Sequence, residues 1–164
     1  MPRVTPGLLR VTLILVLLLA VNPVMADDDC YQLNGTATSQ LTGADTASGT
    51  ASFTLGGRSF TATFTISAIV IGPPGLDGIS ATTSSHTFEV RRRNASVGTF
   101  TTADQGRLVP TSTPGVSVLQ NSLTIVSGTG IFRGDSGVIE TASVLNFTST
   151  PPAGASVLFG TICD

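Results

Sequence analysis

Phe60-Thr61-Ala62-Thr63-Phe64-Thr65-Ile66-Ser67-Ala68 is the stretch that decides the fold. Apolar side chains stand at 60, 62, 64, 66 and 68, and hydroxyls at 61, 63, 65 and 67. A period of two sorts residues onto the two faces of an extended strand, whereas an amphipathic helix repeats at about 3.6. One face is built for a core and the other for water.

The pattern recurs outward in both directions. Further strands are expected over 31–38, 49–55, 79–90, 97–109, 116–126, 138–147 and 155–163. Turn-forming residues separate them: Gly56-Gly57, Gly72-Pro73-Pro74-Gly75, Arg93-Asn94, Pro114-Gly115, the 128–137 stretch and Pro151-Pro152-Ala153-Gly154. No convincing amphipathic helix is read. Eight strands with short connections predict an all-β, antiparallel, up-and-down meander.

Cys30 and Cys163 stand near the two ends of this strand series. In an oxidising compartment a disulfide is the default for such a pair. Its Cα atoms must lie within about 7 Å of each other, so the first and last strands must meet. A sheet whose outer strands meet is a closed eight-stranded β-barrel. The alternative is an open sandwich whose ends are clamped.

A barrel of about eight strands either fills with side chains or holds one small ligand. All eight phenylalanines, at 53, 60, 64, 88, 100, 132, 147 and 159, are candidates for the core or the lining. Phe64, Phe88 and Phe100 are the ligand-binding candidates among them. With no Trp and one Tyr, a large ligand caged by aromatics is not indicated.

The N-terminus reads as an export signal. Arg3 and Arg10 precede an apolar run over 11–21, broken only by Thr12, and then Pro23 and Val24-Met25-Ala26. A positive start, about 7–15 apolar residues and a small-residue exit define a secretory signal peptide. The run is short of the roughly 20 residues that span a bilayer, so no stable membrane span is expected after cleavage. Cleavage is placed after Ala26, which leaves one domain over 27–164 in a secreted or periplasmic location. Without Arg3 and Arg10 the chain keeps six Arg against ten acids, a net charge of −4, and it has no Lys. No basic surface for nucleic acid follows from that.

The segment Asn121-Ser122-Leu123-Thr124-Ile125-Val126-Ser127-Gly128-Thr129-Gly130-Ile131-Phe132-Arg133-Gly134-Asp135-Ser136-Gly137 resembles the allene oxide cyclase and dirigent barrel superfamily. There a strand runs into Gly-Thr-Gly-x-Phe-x-Gly-x-x-Gly and a further strand leaves it. Exported bacterial proteins of this barrel group show similar features to those at His86-Thr87-Phe88, Phe100 to Asp104, Pro110 to Gly115 and Gly160 to Cys163. The resemblance covers about half of the chain beyond the signal. It implies a calycin-like, eight-stranded barrel with an apolar interior, which in plant members guides a reactive intermediate. Dirigent-like barrels often trimerise, so a homo-oligomer is compatible with it. The plant cyclase's catalytic carboxylate and cysteine are not placed here, because both cysteines stand at the ends of the chain beyond the signal, nor is the dirigent Asp, Arg and Tyr set, so no activity carries over.

Few residues offer chemistry. His86 shares strand parity with Phe88, and Asp104 with Phe100. If Phe88 and Phe100 pair across one hairpin, imidazole and carboxylate both point inward as an acid–base pair. The simpler reading is a structural His–Asp hydrogen bond, or Asp104 capping a turn at Gln105-Gly106. A one-residue slip would reverse the faces. Glu140 shares a face with Val138, Ala142 and Val144. Inward, it is a general-acid candidate; at the rim, a partner for Arg133 or Arg107. Arg91-Arg92-Arg93 reads as a solvated hairpin tip, or else as a contact for an anionic surface.

Other motifs carry less. The 128–137 glycines fail as a dinucleotide loop, because Arg133 stands where Gly is needed and a strand follows. They read as a turn that tucks Phe132 against the barrel end. Gly134-Asp135-Ser136-Gly137 is only thinly similar to a serine-protease nucleophile segment. One His and two terminal cysteines make no metal signature, and no cofactor is expected. The expectation is an exported barrel that binds a small apolar molecule or has a non-catalytic role. The alternatives are a cyclase, isomerase or dirigent-type protein, and a structural cell-surface module.

Overall fold

The computed structural model describes residues 29–164. The expected signal segment, 1–26, lies outside the described residues, as does its cleavage position. Eight strands follow in chain order: β1 (Cys30–Leu41), β2 (Ala47–Leu55), β3 (Arg58–Ile71), β4 (Ser80–Arg92), β5 (Ala95–Pro110), β6 (Val116–Gly128), β7 (Ser136–Asn146) and β8 (Ala153–Cys163). Each pairs antiparallel with the next, and β8 returns to β1, closing the barrel. Among the described residues the one helical segment is a 3-10 turn at Gly130–Phe132.

Closure is where the end-to-end cysteines required it. Cys30 and Cys163 lie opposite each other in the β1–β8 pairing, disulfide-bonded, with Cα atoms 4.0 Å apart. The open-sandwich alternative is thereby excluded.

The meander sorts its connections to two ends. At one end are the tight turns: Gly56-Gly57 and Arg93-Asn94, all four with positive φ, as a two-residue hairpin of primed type requires. The 3-10 turn and the disulfide lie at the same end. There Phe132 is fully buried and packs on Phe100 with ring centroids 5.1 Å apart. Phe53 and Phe60 stack at 5.7 Å, and the Arg92 guanidinium sits 6.0 Å above the Phe60 ring. This end is plugged by aromatic side chains, and half-buried Arg92 packs on it while Arg91 and Arg93 are exposed. At the other end the longer loops, 42–46, 72–79, 111–115 and 147–152, surround a mouth.

Alternation holds along the strands except at bulges, of which the one in β3 moves residues expected in the core. Phe60, Ala62 and Phe64 are buried, but a bulge lies between Ser67 and Val70, where Ala68 takes a φ of 53°. Ala68 therefore leaves the apolar face expected of it, and Ile69 and Ile71 turn toward the mouth. A bulge puts an extra residue on one strand and inverts parity beyond it. Phe159 also departs from expectation: Leu158 and Ile162 take the inward positions of β8, which leaves Phe159 49% exposed. Phe147 ends up at the rim of the mouth, 40% exposed.

Candidate functional site

The barrel interior divides at mid-height. Below lies the aromatic plug; above it is a cavity of about 160 Å³ that reaches the mouth. Phe64 and Phe88 form its floor, with ring centroids 5.3 Å apart, and Phe88 stacks on Phe100 beneath at 4.6 Å. Apolar side chains such as Leu41, Ile71, Leu108, Leu119 and Leu145 surround the upper part.

His86 stands on this floor. Phe88 and Phe100 are directly opposite in the β4–β5 hairpin, the pairing on which the inward placement of His86 and Asp104 depended. A bulge at the tip, between Val90 and Arg91, absorbs the extra residue, and the faces are kept. The imidazole lies nearly parallel to the Phe88 ring, at 11° and 5.5 Å between centroids, and 5.6 Å from that of Phe64. His86 is 8% exposed and lines the cavity.

Asp104 sits behind His86 in the wall, buried at 3% exposure. His86 Nδ1 lies 2.7 Å from its Oδ2. Ser84 Oγ donates to the same oxygen at 2.7 Å, and Thr102 Oγ1 donates to Oδ1. With two hydroxyl donors and the imidazole on one carboxylate, the group is fully engaged with the protein. The carboxylate makes Nδ1 the donor, and in the neutral imidazole the lone pair is then on Nε2. Nε2 has no partner among the described residues, and the cavity is the space it can reach.

The expected alternative role for Asp104, capping a turn at Gln105-Gly106, is corrected. Those residues lie within β5, and the strand runs on to Pro110. The structural hydrogen bond is present, and one of its members lines the cavity.

Glu140 does not join the site. Ile139, Thr141 and Ser143 take the inward positions of β7, so Glu140 is on the outer face with Val138 and Val144. Its role as an interior general acid is corrected by that parity. Among the described residues it forms no salt bridge, and Arg107 donates instead to Gln120 Oε1 at 2.7 Å. Ser136 is exposed at the start of β7, opposite Cys163 at the plugged end, so no nucleophile meets the His–Asp pair.

Several site residues escaped the sequence reading. Thr82, Gly106, Asn121 and Thr141 lie in one cross-strand row above His86. Thr82 Oγ1 donates to Asn121 Oδ1 at 3.2 Å. The Asn121 side chain occupies space that a side chain at 106 would need: a Cβ there would fall 1.8 Å from Asn121 Oδ1 and 2.3 Å from the Gln120 carbonyl oxygen. A signal for Asn121 was present, because it interrupts the inward series Leu119, Leu123 and Ile125 with an amide. The cavity thus has one polar wall on β4–β7 and an apolar wall with Ala37, Ala47, Ile66 and Leu158.

Among the described residues no cluster of three or more His, Cys, Asp or Glu forms a metal site. No helix there is long and apolar enough to cross a membrane. Comparison with protein-family models, curated proteins and solved structures finds no match, and the functional reading rests on the geometry of this cavity.

Proposed function

We propose that this is an exported barrel that holds a small, mainly apolar molecule in the upper half of its interior. The carrying observation is the cavity of about 160 Å³, floored by Phe64 and Phe88 and reaching the mouth. An apolar cavity of about 150 Å³ can stay dry and take up benzene, so the volume suits a ligand of one ring or a short chain. Export is supported by the character of residues 1–26 and by the disulfide, which belongs to an oxidising compartment. Kinship with the allene oxide cyclase and dirigent barrels is part of this proposal, supported by the closed meander and by the Phe132 turn.

Titration with propylbenzene, followed by methyl NMR, tests the reading. Leu123, Leu158 and Ile66 are expected to shift together and saturably. If no interior methyl shifts, the binding proposal fails and a structural cell-surface module is the better account.

The His86–Asp104 pair favours a second reading, a cyclase or isomerase. An imidazole with a free Nε2 and an oriented Nδ1 is equipped to take a proton from a bound substrate. Turnover of an enolisable ketone that disappears in His86→Phe, with propylbenzene still bound, would support it. Equal rates in both proteins would remove it.

A further inference from the structure

We infer that the molecule held in this barrel carries a neutral hydroxyl group, phenolic or alcoholic, which donates a hydrogen bond to Nε2 of His86. The inference rests on the proposal that the cavity binds a ligand, and it specifies that ligand's polar end.

Three observations carry it. First, Nδ1 is committed to Asp104 at 2.7 Å, so in the neutral imidazole the nitrogen left to the cavity is an acceptor. A ligand that meets it must therefore donate. Second, the hydroxyls nearest His86 are spent: Ser84 and Thr102 both donate to Asp104. His86 Nε2 has no partner among the described residues, although the residue is 8% exposed. Among the described residues no fully buried side-chain nitrogen or oxygen lacks a partner, so Nε2 is open to the cavity, where a ligand hydroxyl can meet it. Third, no Arg lines the cavity and the chain has no Lys, while the Asp104 carboxylate stands directly behind the imidazole. His86 is the only titratable residue of the lining. A carboxylate or phosphate ligand would meet no Arg or Lys there and would be repelled by Asp104, so the head group is uncharged.

The remaining lining sets the orientation. The head group lies on the floor beside Phe64 and Phe88, and the apolar body points up toward Leu108, Leu119 and Leu145. Asn121, whose amide nitrogen has no partner among the described residues, is placed to donate to the hydroxyl oxygen of a larger ligand.

The test compares four probes of matched shape on the intact protein: 4-propylphenol, 4-propylanisole, propylbenzene and 4-propylbenzoate. The phenol is expected to bind about three- to tenfold more tightly than the ether or the hydrocarbon, the yield of one net hydrogen bond. The benzoate is expected to bind more weakly than all three. His86 is the only histidine, so its side-chain ¹⁵N signals are unambiguous. The Nε2 signal should move with the phenol and stay in place with the ether. A His86→Phe, Asp104→Leu double variant, which leaves no donor-less carboxylate behind, should bind propylbenzene and lose the preference for phenol. Equal binding of phenol, ether and hydrocarbon would overturn the inference and leave the cavity proposal standing. Preferential binding of the benzoate would overturn the neutral head group. If none of the four binds, both the inference and the reading beneath it fall. If the double variant does not fold, the wild-type ¹⁵N comparison decides.

Discussion

His86 Nδ1 and Asp104 Oδ2 are 2.7 Å apart, although the two residues are not partners in the sheet. In the β4–β5 register His86 faces Thr102 and Asp104 faces Ser84. The bond is therefore diagonal, and the two directly opposite residues supply the other donors to the same carboxylate. Four side chains at two adjacent rungs make one polar unit beneath the row of Thr82, Asn121 and Thr141. Half-removal of such a unit is costlier than its complete replacement.

Asp104→Ala is expected to lower stability by about 2–4 kcal/mol, because buried His86 and Thr102 and half-buried Ser84 lose their acceptor. Urea unfolding of Asp104→Ala, His86→Phe and the double variant would show a coupling: the double should cost less than the two singles together. Strict additivity would mean that the pair is not a unit.

Reduction of the Cys30–Cys163 bond, or a Cys30→Ser, Cys163→Ser double variant, should cost about 2–5 kcal/mol. The loop it closes spans 133 positions, almost the whole barrel. The β1–β8 ladder remains hydrogen-bonded over eleven residue pairs, so the reduced protein should keep its far-ultraviolet spectrum at room temperature and melt earlier. Loss of the β spectrum on reduction at 25 °C would mean that the disulfide, not the ladder, closes the barrel.

Two phenylalanines separate the faces of the wall. Phe100→Ala removes a side chain 1% exposed that touches Phe88 and Phe132, and should cost about 3–5 kcal/mol. Phe159→Ala acts on the outer face at 49% exposure and should cost below about 1 kcal/mol. Thermal melts of the two variants would expose any error in the β8 register.

Gly106→Ala should destabilise by about 1–3 kcal/mol and weaken propylbenzene binding. Its Cβ meets the Asn121 amide and a backbone carbonyl that cannot swing away. Unchanged stability would mean that β5 and β6 part easily at this rung.

Burial, and secondarily the Asp164 charge, push the Asp135 carboxyl above the ordinary 3.8. The native state then holds this proton more tightly than the unfolded chain does. Its contribution is therefore full below the unfolded value and is lost as pH rises through the folded one. Asp135→Asn should flatten the stability profile across that acid window. The effect should be small, because the group is only partly buried and solvent screens it. A steeper profile in the variant would reverse the sign argued here.

The candidate site was partly legible. His86 and Asp104 could be set inside from their parity with Phe88 and Phe100, and the hairpin kept that pairing because its extra residue went into a bulge near the tip. Glu140 could not be assigned to a face, since Val138, Ala142 and Val144 on its own face are more apolar than the inward series Ile139, Thr141 and Ser143. Asn121 carried a signal in its polar break, but its tie to Gly106 joins two strands, and strand partners are not written in either strand alone.

What the sequence by itself determined was the local chemistry. Period-two runs made eight strands, glycine and proline punctuated them, and cysteines at the two ends required the first strand to meet the last. These are properties of neighbouring residues, or of a covalent bond with a short reach. Only the tertiary structure decided which of two similar faces turned inward at Glu140 and Phe159. It also decided where the bulge at 67–70 inverted parity, and that the aromatic plug stops at mid-height and leaves a cavity under the mouth. Each of those depends on register and on the summed volumes of side chains from all eight strands, and such quantities exist only once the barrel has closed.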